Sequence, residues 1–120
     1  MTADGRTSPF LQVTLLGEAC RNVQDGAVFV WDEDRNYVAV NEGASRLTGL
    51  TCEELLEMKV GDLSPERASP HFEDVQRHPR TTGRSTIQRR DGTQVEIEWV
   101  TFRTRVADLP YMVSVCWPAA

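Results

Sequence analysis

No apolar run in this 120-residue chain approaches the roughly 20 residues that a membrane-crossing helix needs. The opening residues, MTADGRTSPF, are polar and lack the apolar centre of a signal peptide. Cysteine is scarce: Cys20, Cys52 and Cys116 are dispersed, with no C-x-x-C pair, which argues against a zinc site. An odd, scattered count also suits a reducing compartment, so the expected location is the cytoplasm, with no membrane insertion. Positive charge is in deficit. Thirteen Lys and Arg against 18 Asp and Glu give a net charge of −5, so bulk charge does not attract nucleic acid or an anionic membrane. The arginines between 84 and 90 lie beside acidic strands and read as a solvated face. Catalytic motifs are missing too: there is no G-x-S-x-G, no H-E-x-x-H and no phosphate-cradling loop. A non-enzymatic role is therefore expected. Hydrophobic content of 40% with 26% charged residues is ordinary for a globular protein, and the length suits one core.

What the chain does have is concentrated in residues 26 to 49, GAVFVWDEDRNYVAVNEGASRLTG. An apolar run, Ala27 to Trp31, meets an acidic turn, Asp32 to Asn36, and a second run, Tyr37 to Val40, follows. β-Branched and aromatic runs around a polar turn predict a hairpin. Asn41 is a good helix cap, and Gly49 a good stop for a helix over 42–48.

Before this stretch, Ser8-Pro9 predicts a helix start, with Leu11, Leu15, Leu16 and Ala19 striping a helix from Phe10 to about Asn22. After it, Thr51-Cys52-Glu53-Glu54 is a capping box opening a helix to about Met58. Gly61 to Leu63 reads as a turn, and an interrupted helix is expected with its main part from Pro70 to His78, ended by Thr82-Gly83. Three strands are then predicted: Ser85 to Arg90, Gln94 to Arg105 across an Asp91-Gly92 turn, and Tyr111 to Trp117 after a loop at 107–110. Five antiparallel strands with helices packed on one face make an α+β fold. In the long strand, Glu96 and Glu98 face out, so Val95, Ile97, Trp99 and Thr101 face in. Val100 and Phe102 share the outward face, an apolar patch suited to a helix or a partner.

Asp25-Gly26, the acidic turn, Asn41, Leu47-Thr48-Gly49 and the later RRDGTQVEIEWV (89–100) together resemble a PAS domain, the small sensory fold of signalling proteins. The resemblance spans about residues 23 to 117, leaving 1–22 as an N-terminal segment with a flanking helix and 118–120 as a tail. It implies a five-stranded antiparallel sheet with short helices on one face. It also implies which side chains face the pocket: Ala27, Phe29 and Trp31 on the first strand, Ile87, and Met112, Ser114 and Cys116 on the last. Ala44, Leu47, Leu55, Met58, Phe72 and Val75 would close it from the helices. Such a lining of aromatics and Met, interleaved with Ser114, Thr101 and Cys116, suits a small hydrophobic or aromatic ligand. The alternative is a filled core in a module that only mediates contacts.

Cofactor chemistry known in the family is weighed the same way. A haem-binding member would place a His on the long helix; His71 and His78 are near, but the matching position is Phe72, and one residue is about a 100° turn. A flavin photoadduct needs an Asn-Cys-Arg-Phe-Leu-Gln run that is missing here, and a thioester chromophore lacks its Cys. Surface histidines are thus the expected reading, a haem-binding sensor is the third and weakest alternative, and flavin is not expected. The resemblance further implies a homodimer through the N-terminal helix and the Val100, Phe102, Val115, Trp117 face, and an effector domain or signalling partner. No effector domain lies within the 120 residues, so the chain reads either as an excised sensor or as a single-domain protein acting through partners.

Overall fold

A computed structural model describes residues 26–64, 77–106 and 108–119. Five strands form one antiparallel sheet: β1 (Ala27–Trp31), β2 (Tyr37–Val40), β3 (Arg80–Gln88), β4 (Gln94–Val106) and β5 (Leu109–Pro118), in the order β2-β1-β5-β4-β3. Two short helices, α1 (Glu42–Thr48) and α2 (Cys52–Leu55), follow β2. The fold is α+β, as the strand count and the placement of the helices predict. The expected helices over 10–22 and 70–78 lie outside the described residues or almost wholly so.

Local chemistry explains the first half. Asp32 Oδ1 accepts from the backbone N–H groups of Asp34 and Asn36, both at 2.9 Å, which closes the β1–β2 turn. Asn41 caps α1 by accepting from Ala44 N at 3.0 Å, and the same oxygen accepts from Val28 N at 2.9 Å. Its amide donates to Gly26 O at 3.0 Å, so one buried side chain ties the helix start to β1. The helix approaches so closely that a Cβ at Gly43 would sit 2.3 Å from Gly26 O. Gly49 ends α1 at φ 75°, in the left-handed region. The capping box on α2 is present in both directions: Thr51 Oγ1 accepts from Glu54 N, and Glu54 Oε1 accepts from Thr51 N.

Four boundaries differ from expectation. α2 stops at Leu55 rather than Met58, because Met58 O accepts from Tyr37 N and Lys59 bridges to Asn36, which pulls the chain away to pair with β2. β3 begins at Arg80, so Thr82 and Gly83 end no helix; they pair with Val100 and Trp99 in the middle of the β3–β4 ladder. β3 also ends at Gln88 rather than Arg90, since Arg89 and Arg90 belong to a loop closed by Arg89 N donating to Thr93 O. The expected loop at 107–110 shrinks because β4 runs to Val106 and β5 starts at Leu109; Asp108, at φ 66°, makes the tight reversal.

The sheet separates two apolar clusters. On the helix side, Phe29, Trp31, Tyr37, Ile97, Trp99, Met112 and Cys116 pack with Ala44 and Leu55. On the other side, Val28, Val30, Ala39 and Tyr111 pack with Val113 and Val115. β1 is buried along both faces, which its unbroken apolar run anticipates.

Candidate ligand site

The helix-side face of the sheet is laid out in cross-strand rows. Gly83, Trp99, Cys116 and Ala27 form one row, and Thr81, Thr101, Ser114 and Phe29 form the next. The alternation of β4 places Ile97, Trp99 and Thr101 inward as expected, and Thr101 is only 3% exposed. The Trp99 indole lies over Gly83, where a Cβ would come within 2.5 Å of its ring; only a glycine leaves room for it. Its Nε1 donates to Ser85 Oγ at 2.9 Å. The Phe29 and Tyr37 rings meet at 5.2 Å between centroids.

A strip of hydroxyls crosses this apolar wall. Trp31 Nε1 donates to Ser114 Oγ at 3.0 Å, and Ser114 Oγ shares a 2.7 Å hydrogen bond with Thr101 Oγ1. Thr81, the direct cross-strand neighbour of Thr101, has a buried Oγ1 with no hydrogen-bond partner among the described residues. A buried hydroxyl without a partner costs about 1–3 kcal/mol. The strip therefore satisfies itself at its β5 end and, among the described residues, is left unmet at its β3 end.

Of the residues expected to line the pocket, Phe29, Trp31, Ala44, Ile87, Ile97, Trp99, Met112 and Cys116 are buried in the helix-side cluster, and Leu47 and Met58 pack against it half-buried. Thr101 and Ser114 join the same face through their mutual bond. Phe72 and Val75 lie outside the described residues. Sequence reasoning missed Thr81, Ser85 and Tyr37. For the first two, the signal was a period-two run, Thr81-Gly83-Ser85-Ile87, hidden by a Thr-Gly pair that reads as a helix stop.

The titratable groups of this face are held neutral. Burial pushes the Cys116 thiol up to about 12, so it is not poised as a nucleophile or metal ligand. Burial likewise raises Tyr37 well above the usual phenol range, with Cys116 and Asp62 adding to the effect. His78 is exposed, and His71 lies outside the described residues. The described part of the wall carries no imidazole, and its one cysteine, Cys116, is held as the thiol. Among the described residues no cluster of His, Cys, Asp and Glu could hold a metal ion, and no helix is long and apolar enough to cross a membrane.

The sheet, its short helices and its packed inner face define a small α+β domain. The family model of the PAS fold matches residues 18–108, and the chain belongs to the PAS family of sensory domains. No curated protein matches the sequence. Solved structures share the fold at low identity. The PAS domain of a two-component sensor histidine kinase is similar with a TM-score of 0.76 at 16% identity, covering 93% of this chain and 100% of that one. A domain of a sensory box sensor histidine kinase/response regulator from Geobacter sulfurreducens gives 0.70 at 18% identity, covering 87% and 95%. The LOV domain of a blue-light-activated histidine kinase from Erythrobacter litoralis gives 0.69 at 15% identity, covering 82% and 99%.

Proposed function

We propose that this PAS domain senses a small, uncharged, hydrophobic or aromatic molecule bound between sheet and helices. The observation that carries the reading is the hydroxyl strip Ser114–Thr101–Thr81, whose Thr81 end has no partner among the described residues, in a mainly apolar wall. A core that needed only filling would be more stable with aliphatic residues there. A ligand bringing one hydrogen-bonding atom to the strip binds a rearranged interior better than the present one, and that difference in affinity is what a sensor requires. The domain does no chemistry of its own in this reading, uses neither haem nor flavin, and works in the cytoplasm. It passes the change through the sheet to a flanking helix or a homodimer interface, and so to an effector domain or signalling partner, as the histidine kinases carrying similar domains suggest.

A second reading has its own support. Phe102 and Trp117 are each 39% exposed on the opposite face, as suits a module that only docks. Native mass spectrometry followed by a thermal-shift screen of small neutral aromatics separates the two. A co-purifying molecule, or a melting temperature that rises with compound concentration, supports the sensor. A bare protein mass with no shift across the screen leaves the docking module, and the oligomer mass then tests the dimer.

A further inference from the structure

At the margin of the helix-side cluster, the loop after α2 and the residues at the end of β3 line an open cleft of about 360 Å³. That volume suits a small metabolite. Two backbone hydrogen bonds brace it: Gln88 N donates to Leu63 O at 2.7 Å, and Arg90 N donates to Thr48 O at 2.9 Å. Leu50, Met58 and Leu63 give the cleft an apolar floor that is continuous with the core.

The rim carries opposite charges on different elements. Arg89 and Gln88 stand on the β3 side, and Asp62 stands on the loop. Arg90 also borders the cleft, but its guanidinium is committed to Gly49 O at 2.9 Å and to the Glu54 carboxylate. Arg89 is less committed, with Nη2 reaching Arg46 O at a long 3.3 Å. Asp62 is held in place through Oδ2, which accepts from Lys59 N at 2.9 Å; the cleft-lining carboxylate is thereby oriented and keeps a second oxygen. The Gln88 side-chain amide, exposed at the rim, can add a donor beside Arg89.

We propose that this cleft binds a free α-amino acid with an apolar side chain. A cation and an anion lining the same cleft beside an apolar floor are the chemical complement of an α-carboxylate, an α-ammonium and an aliphatic side chain. Arg89 takes the carboxylate with its planar fork, Asp62 takes the ammonium, and Leu50, Met58 and Leu63 cover the side chain. The site is separate from the hydroxyl strip and does not depend on a ligand binding there.

The test is an NMR titration of the 15N-labelled 120-residue protein with L-leucine, alongside 4-methylvalerate, which lacks the ammonium, and leucinamide, which lacks the carboxylate. The expected result is saturable movement of the Leu63, Gln88 and Arg90 amides with a Kd of about 1 mM or tighter. Both truncated analogues should bind more weakly by roughly tenfold or more, as should Arg89→Gln and Asp62→Asn with L-leucine. Both substitutions are at the surface, and unchanged melting temperatures will show that the variants are folded. No saturable movement at those amides overturns the proposal. So does 4-methylvalerate binding as well as leucine, or movement confined to Thr101 and Ser114, which would speak for the interior site alone.

Discussion

Two rows of side chains cross the same three strands, one on each face of the sheet. On the helix side, Thr81, Thr101 and Ser114 line up across β3, β4 and β5. On the far side, Arg84, Glu98 and Trp117 do the same. Both rows are hydrogen-bonded. Arg84 Nη2 donates to Glu98 Oε1 at 2.8 Å, and Trp117 Nε1 donates to Glu98 Oε2 at 3.0 Å. The bonds look alike on paper, yet their consequences differ, because water replaces whatever is broken on the exposed side and cannot do so on the buried side. The geometry of the ladder is shared, and burial decides what each row contributes.

The largest test of the buried side is Trp99→Ala. Trp99 is 8% exposed, spans Gly83 and anchors to Ser85, so its removal leaves a cavity beside a glycine that cannot fill it. The expected cost is about 3–5 kcal/mol, read as a lower urea midpoint. A midpoint equal to that of the unaltered protein would mean the indole does not pack on this face.

Within the buried row the two ends should respond in opposite directions. Ser114→Ala removes the acceptor of Trp31 Nε1 and the partner of Thr101 together, for an expected loss of about 1–3 kcal/mol. Thr81→Val keeps the shape of the side chain and removes a hydroxyl with no partner among the described residues, so stability should hold or rise by about 1 kcal/mol. Destabilisation by Thr81→Val would show that this hydroxyl has a partner, and the hydroxyl strip would then lose its role in the sensor reading.

The same contrast explains what could be read from the sequence. β4 was legible because Glu96 and Glu98 alternate with Ile97 and Trp99, and the alternation alone assigned both faces. Ser114 and Thr101 followed from that assignment and from the family pattern. The first half of β3 was hidden. As an edge strand it alternates exposed Arg80, Thr82 and Arg84 with Thr81, Gly83 and Ser85, none of them large and apolar. Its strand character comes from nine residues of pairing with β4, a non-local cause that local propensity does not carry. Thr81 was lost with it. Likewise, the early end of α2 depends on Tyr37 and Asn36 capturing the chain from far upstream.

The smallest expected effect belongs to the exposed row, and pH reads it best. The Arg84 guanidinium, with help from the Trp117 indole N–H, holds the Glu98 carboxyl below its usual value. A carboxyl whose folded-state value is depressed contributes stability that is fully present above its unfolded value and is lost as pH falls through the folded one. Glu98→Gln should therefore lower the melting temperature slightly near neutral pH, because glutamine still accepts from Trp117 but no longer pairs as an anion with Arg84. The gap between the two proteins should close as the pH drops below the ordinary carboxylate range. It should also narrow in high salt, since the pair is open to solvent. Ser114→Ala, by contrast, should keep its full deficit under both conditions, because no charge is involved and no ion reaches it. If the Glu98→Gln gap survived acid and salt undiminished, the outer row would be acting through packing of Trp117 rather than through charge, and the distinction drawn between the two faces would fail at that row.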